Sequence, residues 1–420
     1  MNHSQTSLEE TRAERPARSL WRNSNFLLLW SGQTVSTLGT SISSLALPLL
    51  VLALTHSPAL AGLLTAARQL PYLLVSLPAG ALVDRWNRKR TMIYCDLVRW
   101  LALGSVPLAY ALNHLTLIQL FLVALIEGTA YVLFSLAQIS ALPQVVEPAH
   151  LPRAYALDTT TEYMGTLFGP NLSAFIIGLA PIVALGAILA YLADSCSYIV
   201  SVVSLLFVRS SFQEERARSA EPRRLVREIA EGLRFLWRQR NLRSMALLTA
   251  FSNFLQAPVD LALIVLAQSR LHLSVQFIGL MLSAGGIGGI LGGVFAPWLR
   301  EHLRCGQILL LSLVIWTGAT LLLAFATWPP LLLLGKLLFS LTWPAYAVAV
   351  VSYRLLMTPD ELQGRVNSAF RNLSYGSEPL GSALGGLLLV PLGAPVLFGL
   401  MAVGFVTCLL FVLRVGLHRV

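Results

Sequence analysis

The sequence predicts an all-α membrane protein, with twelve transmembrane helices in two pseudo-symmetric six-helix bundles. Three observations predict it: a shortage of charge, the spacing of the apolar windows, and a one-sided distribution of bases. Of 420 residues, 56% are hydrophobic and 12% charged. That is about half the charge a soluble domain carries to keep its surface in water. A bigger core does not remove the conflict, because a chain of this size still exposes much of its surface. Lipid is the solvent that fits.

A helix needs about 20 mainly apolar residues to cross a bilayer. Windows of that kind lie at 25–53, 58–82, 91–112, 116–141, 154–179, 183–208, 243–268, 276–299, 306–327, 329–353, 366–390 and 395–413. The first is longer than one crossing needs, so its ends are soft. The first 24 residues are polar and contain arginine. They do not read as a cleaved signal peptide, so the expectation is that nothing is cut away.

Bases fix the orientation. With the N-terminus in the cytoplasm, 25 of the 30 Lys and Arg residues fall in cytoplasmic segments, and Arg270 alone falls on the other side. Four lie inside spans: Arg68, Arg99, Lys336 and Arg371. This is the positive-inside pattern. It predicts a multi-pass protein of the cell membrane (inner or plasma) with both termini cytoplasmic. The net charge of +10 is then an orientation signal. Nucleic-acid binding is excluded as a reading, because the bases are scattered over short loops.

The chain divides into a cytoplasmic tail (1–24), a first bundle (25–208), a cytoplasmic linker (209–242) and a second bundle with a short tail (243–420). Within the linker, LVREIAEGLRFLW has apolar residues at helical spacing, which predicts an amphipathic helix on the inner surface. The halves echo one another. HLPRAYAL enters span 5 as ELQGRVNSA enters span 11, placing Arg153 and Arg365 212 positions apart. Each is followed by a helix bearing Gly and Pro, GTLFGP and GSEPLG. Weak symmetry between halves is a mark of transporters.

GALVDRWNRKR at 80–90 places one acid and four bases within seven residues, between spans 2 and 3. Two readings stand, a bare stop signal for the helix before it or a gating contact. The residues resemble the major facilitator superfamily, in the branch of macrolide-efflux and enterobactin-exporter-like proteins among the twelve-helix drug–proton antiporters. Gly80, Asp84, Arg85, Arg88 and Lys89 match that family's loop, with Asn87 where Gly is usual. GTLFGP resembles its helix-5 antiporter signature through Gly165, Gly169 and Pro170, with Ser173 and Ala174 replacing the final glycines. Other departures are Ala124 in place of a helix-4 Arg, Thr40 where Asp is often found, and a degenerate second loop, FAPWLREHLRCG. The resemblance implies that Asp84 approaches the N-terminus of helix 11 when the inner gate is shut. That helix end carries a partial positive charge. Arg85, Arg88 or Arg365 would add charge-assisted hydrogen bonds, making a latch that forms in one state and breaks in the other. For the helix-5 motif, packing and gating readings both stand.

Charges inside a membrane are expensive and mark function or internal pairing. Arg68 and Glu127 lie at matching depth on spans 2 and 4, and Asp260 and Lys336 on spans 7 and 10, so each set is an expected pair. Asp96 and Arg99 share a face at i, i+3; these and Asp194 are expected to be structural. Glu162 sits four residues after Asp158 on span 5. Glu378 stands in mid-span 11 before Pro379, with Arg371 two turns away as the nearest base on its helix. The candidates for proton coupling are therefore Glu378, Glu127, Glu162 and Asp260. Arg68, Tyr131, Lys336, Trp343 and Tyr346 are candidates for the wall of an aromatic cavity suited to bulky amphiphiles. Trp30, Phe134 and Trp316 are further possibilities, against a lipid-facing role for each.

Little else carries chemistry. The four cysteines are dispersed and the histidines sit in tails, loops or span ends, so no metal site, disulfide or cofactor is expected. GGIGGILGG at 285–293 lies inside a span with no strand before it, which points to helix packing rather than to a nucleotide. The expected function is secondary active export of a bulky drug or siderophore-like molecule, driven by protons, by a functional monomer. An uptake permease or proton symporter for a small metabolite is the alternative. A membrane-embedded enzyme and a channel fit less well, lacking clustered catalytic residues and repeated pore residues.

Overall fold

The structure, a computed structural model, describes residues 20–209, 212, 222–359 and 362–417, without the side chains of 77, 81, 84, 85 and 222–229. In chain order the α-helices are α1 (Ser24–Thr55), α2 (Pro58–Arg85), α3 (Arg88–Ala111), α4 (Leu117–Val145), α5 (Leu151–Gly178), α6 (Val183–Phe207), α7 (Pro222–Arg238) and α8 (Arg240–Gln256). After them come α9 (Val259–Ser269), α10 (Val275–His302), α11 (Cys305–Ala324), α12 (Pro329–Leu341), α13 (Trp343–Met357), α14 (Gln363–Tyr375) and α15 (Glu378–Val415). No strand occurs among the described residues.

Helix boundaries follow local chemistry. Asn23, Ser57, Asn87, Thr116 and Ser274 each accept a backbone N–H with the side chain at a helix start, satisfying a donor the helix cannot. Asn87 therefore has a job that the glycine usual at its place would not do. α15 changes direction at Gly393, between Pro391 and Pro395, with φ +71° and ψ 165°. Only glycine adopts that backbone freely.

Nine described stretches are helical, long and apolar enough to cross a membrane. α2 and α5 are 28 residues each and long enough, though more polar. The stretch Gln363–Val415 is 53 residues and turns at Gly393. With α2, α5 and both arms of that stretch counted, the helices accommodate the twelve expected passes. Three passes are interrupted midway: α8 gives way to α9 at Pro258, α12 to α13 at Thr342, and α14 to α15 at Gly376–Ser377.

Packing repeats along the chain. α1 lies on α5 and α6, α2 on α4, and α3 on α4 and α6; then α8 on α14 and α15, α10 on α12, and α11 on α15. Between these two sets the main seams are α2 against α15 and α5 against α10. The amphipathic α7 lies along α14. Its Leu236 is fully buried, and Gly232 sits against the Arg365 carbonyl, where a Cβ would not fit.

Candidate functional site

The two sets enclose a central cavity of about 790 Å³, within the size range of small-molecule sites. Its wall includes Arg68, Glu127, Tyr131, Glu162, Asp260, Lys336 and Glu378. The four acids and both bases singled out from the sequence therefore meet in one place.

On the side of the first set, the ions are tightly paired. Arg68 Nε donates to Glu127 Oε2 at 2.5 Å and Nη2 to Oε1 at 3.3 Å. A second arginine joins them, Arg99 Nη2 donating to Glu127 Oε1 at 3.1 Å. Asp96 stands 3.6 Å from Arg99 Nη1. The Arg99 guanidinium lies 4.1 Å from the Tyr198 ring centroid, a cation–π contact, and donates to Thr40 Oγ1 at 3.2 Å. The sequence shows Arg99 only as a partner for Asp96; that it also holds Glu127 depends on the crossing of α3 and α4.

The opposite wall is sparser. Lys336 pairs with Asp260, whose side chain is 59% exposed. Glu378 sits in the first turn of α15, half-buried, with no hydrogen bond or ion pair among the described residues. Glu162 is exposed to the cavity, and Arg371 reaches its wall beside Tyr375.

Trp343 and Tyr346 do not line the cavity. They pack with Trp316, Phe339 and Phe405 inside the second set, ring centroids 5.1–6.2 Å apart. The Tyr346 hydroxyl is spent on Thr249 at 2.9 Å. Of the aromatics considered, Tyr131 alone is at the described cavity wall. Tyr72 and Tyr375, which sequence reading passed over, are there too, with centroids 5.6 Å apart across the α2–α14 seam.

The seams are polar and close. Asn372 Nδ2 donates to the Leu73 carbonyl at 3.1 Å and to Ser76 Oγ at 3.2 Å, and Ser382 donates to Gln69 at 2.9 Å. Gln69 and Asn372 were legible as polar residues inside apolar windows. Gly165 and Gly169 both face Ser41 of α1, and the Pro170 carbonyl faces Gly279 of α10. The glycine run of α10 serves two neighbours, Gly285, Gly288 and Gly292 meeting α12 or its end and Gly286 and Gly289 meeting α5. These small residues set how closely the helices approach.

In the 80–90 turn, the bases divide. Arg88 donates to the carbonyls of Ser140 and Phe212 at 2.9 and 3.2 Å, and Lys89 to that of Val208 at 2.7 Å. Val208 caps the end of α6, where a cation is favourable. Arg88 is thus committed to its own helix set. The side chains of Asp84 and Arg85 lie outside the described residues. Gly80 has open space where a Cβ would be, Arg153 is exposed, and Arg365 Nη1 donates to Glu231 of α7 at 2.7 Å.

A model of the transmembrane secretion effector family matches residues 17–420. The multidrug efflux pump Tap of Mycolicibacterium fortuitum is 26% identical over 402 residues, covering 94% of this chain and 95% of that protein. The enterobactin exporter EntS of Citrobacter koseri is 24% identical, over 92% of this chain and 91% of its own. Among solved structures, the nucleoside transporter NupG aligns with a TM-score of 0.74 at 14% identity, covering 93% of this chain and 98% of its own. A D-xylose–proton symporter gives 0.73 at 13% identity, covering 92% and 96%. At these identities the structures speak for the fold alone.

Proposed function

The chain belongs to the transmembrane secretion effector family of the major facilitator superfamily, and from that premise we propose that it is a secondary active exporter. It carries a bulky amphiphilic small molecule, a drug or a siderophore-like compound, out across the cell membrane by alternating access in exchange for protons. The observation that carries this reading is the central cavity, flanked by the close-packed α2–α15 and α5–α10 seams and walled by ionisable groups and tyrosines. Interrupted helices beside it at Pro258 and Glu378 support it, since broken helices flank binding sites in transporters.

Glu378 is the proton-coupling acid. It faces the cavity without a partner, whereas Glu127 is held by two arginines and so is fixed as an anion. The bases gathered at one end of the bundle favour cytoplasmic termini. At that end, Arg88 and Lys89 tie the turn to the first set, which leaves Asp84 to reach the start of α14 in the closed-inside state.

The test is a susceptibility and retention screen across macrolides, other antibiotics and catecholate siderophores in a host stripped of its own exporters. Retention of at least one class should fall on expression, and an uncoupler should restore it. Retention that is unchanged for every class, or changed but indifferent to the uncoupler, rejects the proposal.

A further inference from the structure

We propose that Asp194, on α6 and away from the cavity, is a second proton-binding site, joined to the cavity by the hydroxyls of Tyr198 and Thr40. It extends the proton exchange proposed above without depending on Glu378.

The first support is a count of charges. Asp96, Arg99, Glu127 and Asp194 are 0, 2, 3 and 0% exposed, and the Arg68 side chain is 23% exposed. Three acids thus share two bases in a water-poor interior, where an uncompensated charge is strongly disfavoured. One further positive charge belongs to the cluster.

Geometry says where it sits. Arg68 is taken by Glu127, and Arg99 by Glu127 and Asp96. Asp194 touches only hydroxyls. Tyr198 OH is 3.4 Å from Oδ2, and Ser197 Oγ is 3.4 Å from Oδ1. Ser197 has one hydrogen, which it gives to the Asp194 backbone carbonyl at 2.7 Å. With that hydrogen committed, Ser197 does little to neutralise Oδ1, and no base among the described residues pairs with either carboxyl oxygen of Asp194. Gly39 makes the room; a Cβ there would stand 2.7 Å from Oδ1. The charged and titratable groups around Asp194 are Arg99 and Asp96 on α3, Glu127 on α4, Arg68 on α2, and Tyr191 and Tyr198 on its own helix. From α1 come the hydroxyls of Thr40 and Ser43, while Asp158 and Glu162 of α5 turn to Gln138 and to the cavity.

A path leads out. Thr40 lines the cavity, its Oγ1 lies 3.0 Å from Tyr198 OH, and either can donate. On loading, Tyr198 gives its proton to Oδ2, Thr40 gives its own to Tyr198, and Thr40 takes one from the cavity. One proton moves, each broken O–H bond is replaced, and no electron is transferred. Arg99 donates to Thr40 and Glu127 alike. A substrate that disturbs Glu127 at the cavity wall therefore acts on the same path.

Infrared difference spectroscopy between low and high pH tests this on the purified, reconstituted full chain, without substrate. The wild type should show two carbonyl-stretch bands from protonated carboxyl groups. Glu378→Gln should remove one and Asp194→Asn the other, with Asp194→Glu shifting the second band if the Asn variant does not fold. Tyr198→Phe should keep the band and slow its exchange after a pH jump at least tenfold. A spectrum unchanged by Asp194→Asn or Asp194→Glu overturns the proposal. So does a band that responds to sodium at fixed pH, which would assign the site to a metal cation. If Glu378→Gln alone leaves the bands intact, the coupling role of Glu378 fails and that of Asp194 stands.

Discussion

The two helix sets repeat one packing scheme but fill its centre with opposite chemistry. In the first, α3 meets α6 through Arg99 over Tyr198, and α4 contributes Glu127. In the second, α11 meets α15 through Trp316 and Phe405 at 5.6 Å, and α12 contributes Phe339, whose carbonyl accepts the Trp316 indole N–H at 2.9 Å. Continuity differs as well. The six passes α1 to α6 run unbroken, whereas three passes of the second set are interrupted. A fold can thus divide its labour. One set holds a buried cluster of paired charges. The other is a dry aromatic block whose broken helices supply places to bend.

The largest effects should separate the two centres by their chemistry. Arg99→Gln leaves Asp96 buried without a base and should cost about 3–5 kcal/mol, with part returned by adding Asp96→Asn. Trp316→Ala should cost a similar amount, about 3–5 kcal/mol, through lost volume, and no polar second change should rescue it. Thermal unfolding in detergent reads both. If Asp96→Asn deepens the loss from Arg99→Gln, the ion network is not what holds the first centre.

Asp84→Asn comes next. It removes one charge-assisted contact of about 1.5–3 kcal/mol, shifting the ratio of inside-closed to inside-open states by roughly ten- to a hundredfold. Accessibility of cysteines placed in the cytoplasmic half of the cavity should rise, and export should fall, while insertion survives. Unchanged accessibility with normal export would remove Asp84 from the latch.

The smallest effect belongs to Lys336 and Asp260. With Asp260 59% exposed, the pair is worth at most about 1 kcal/mol. Lys336→Gln should shift the midpoint of unfolding by only a few degrees. A loss as large as that from Arg99→Gln would mean that the two sets are alike after all.

These outcomes bear on what the sequence could say. The apolar spans and the pairs Arg68–Glu127 and Asp260–Lys336 were readable, because depth in a membrane follows from position along a helix of known rise. Rotation about the helix axis was not. Trp343 and Tyr346 were expected at the cavity wall and lie in the aromatic block, because apolar windows in lipid show no wet face to orient them. Arg88 was a candidate for the latch and is held by carbonyls of Ser140 and Phe212, partners that only the folded chain brings near. The Tyr198–Thr40 contact beside Asp194 was hidden for the same reason, since it crosses 158 positions.

The most direct test of the account is transport by Glu378→Gln. The wild type and the variant would be compared in inside-out vesicles, using a labelled member of whichever class the retention screen identifies. An acid lumen should drive the wild type to concentrate the compound, as protons leave and substrate enters, and an uncoupler should collapse the gradient. The variant should still exchange labelled for unlabelled compound but should not concentrate it at any pH difference. If Glu378→Gln accumulates the compound like the wild type, with the same dependence on the pH gradient, Glu378 is not the coupling site and the account is contradicted.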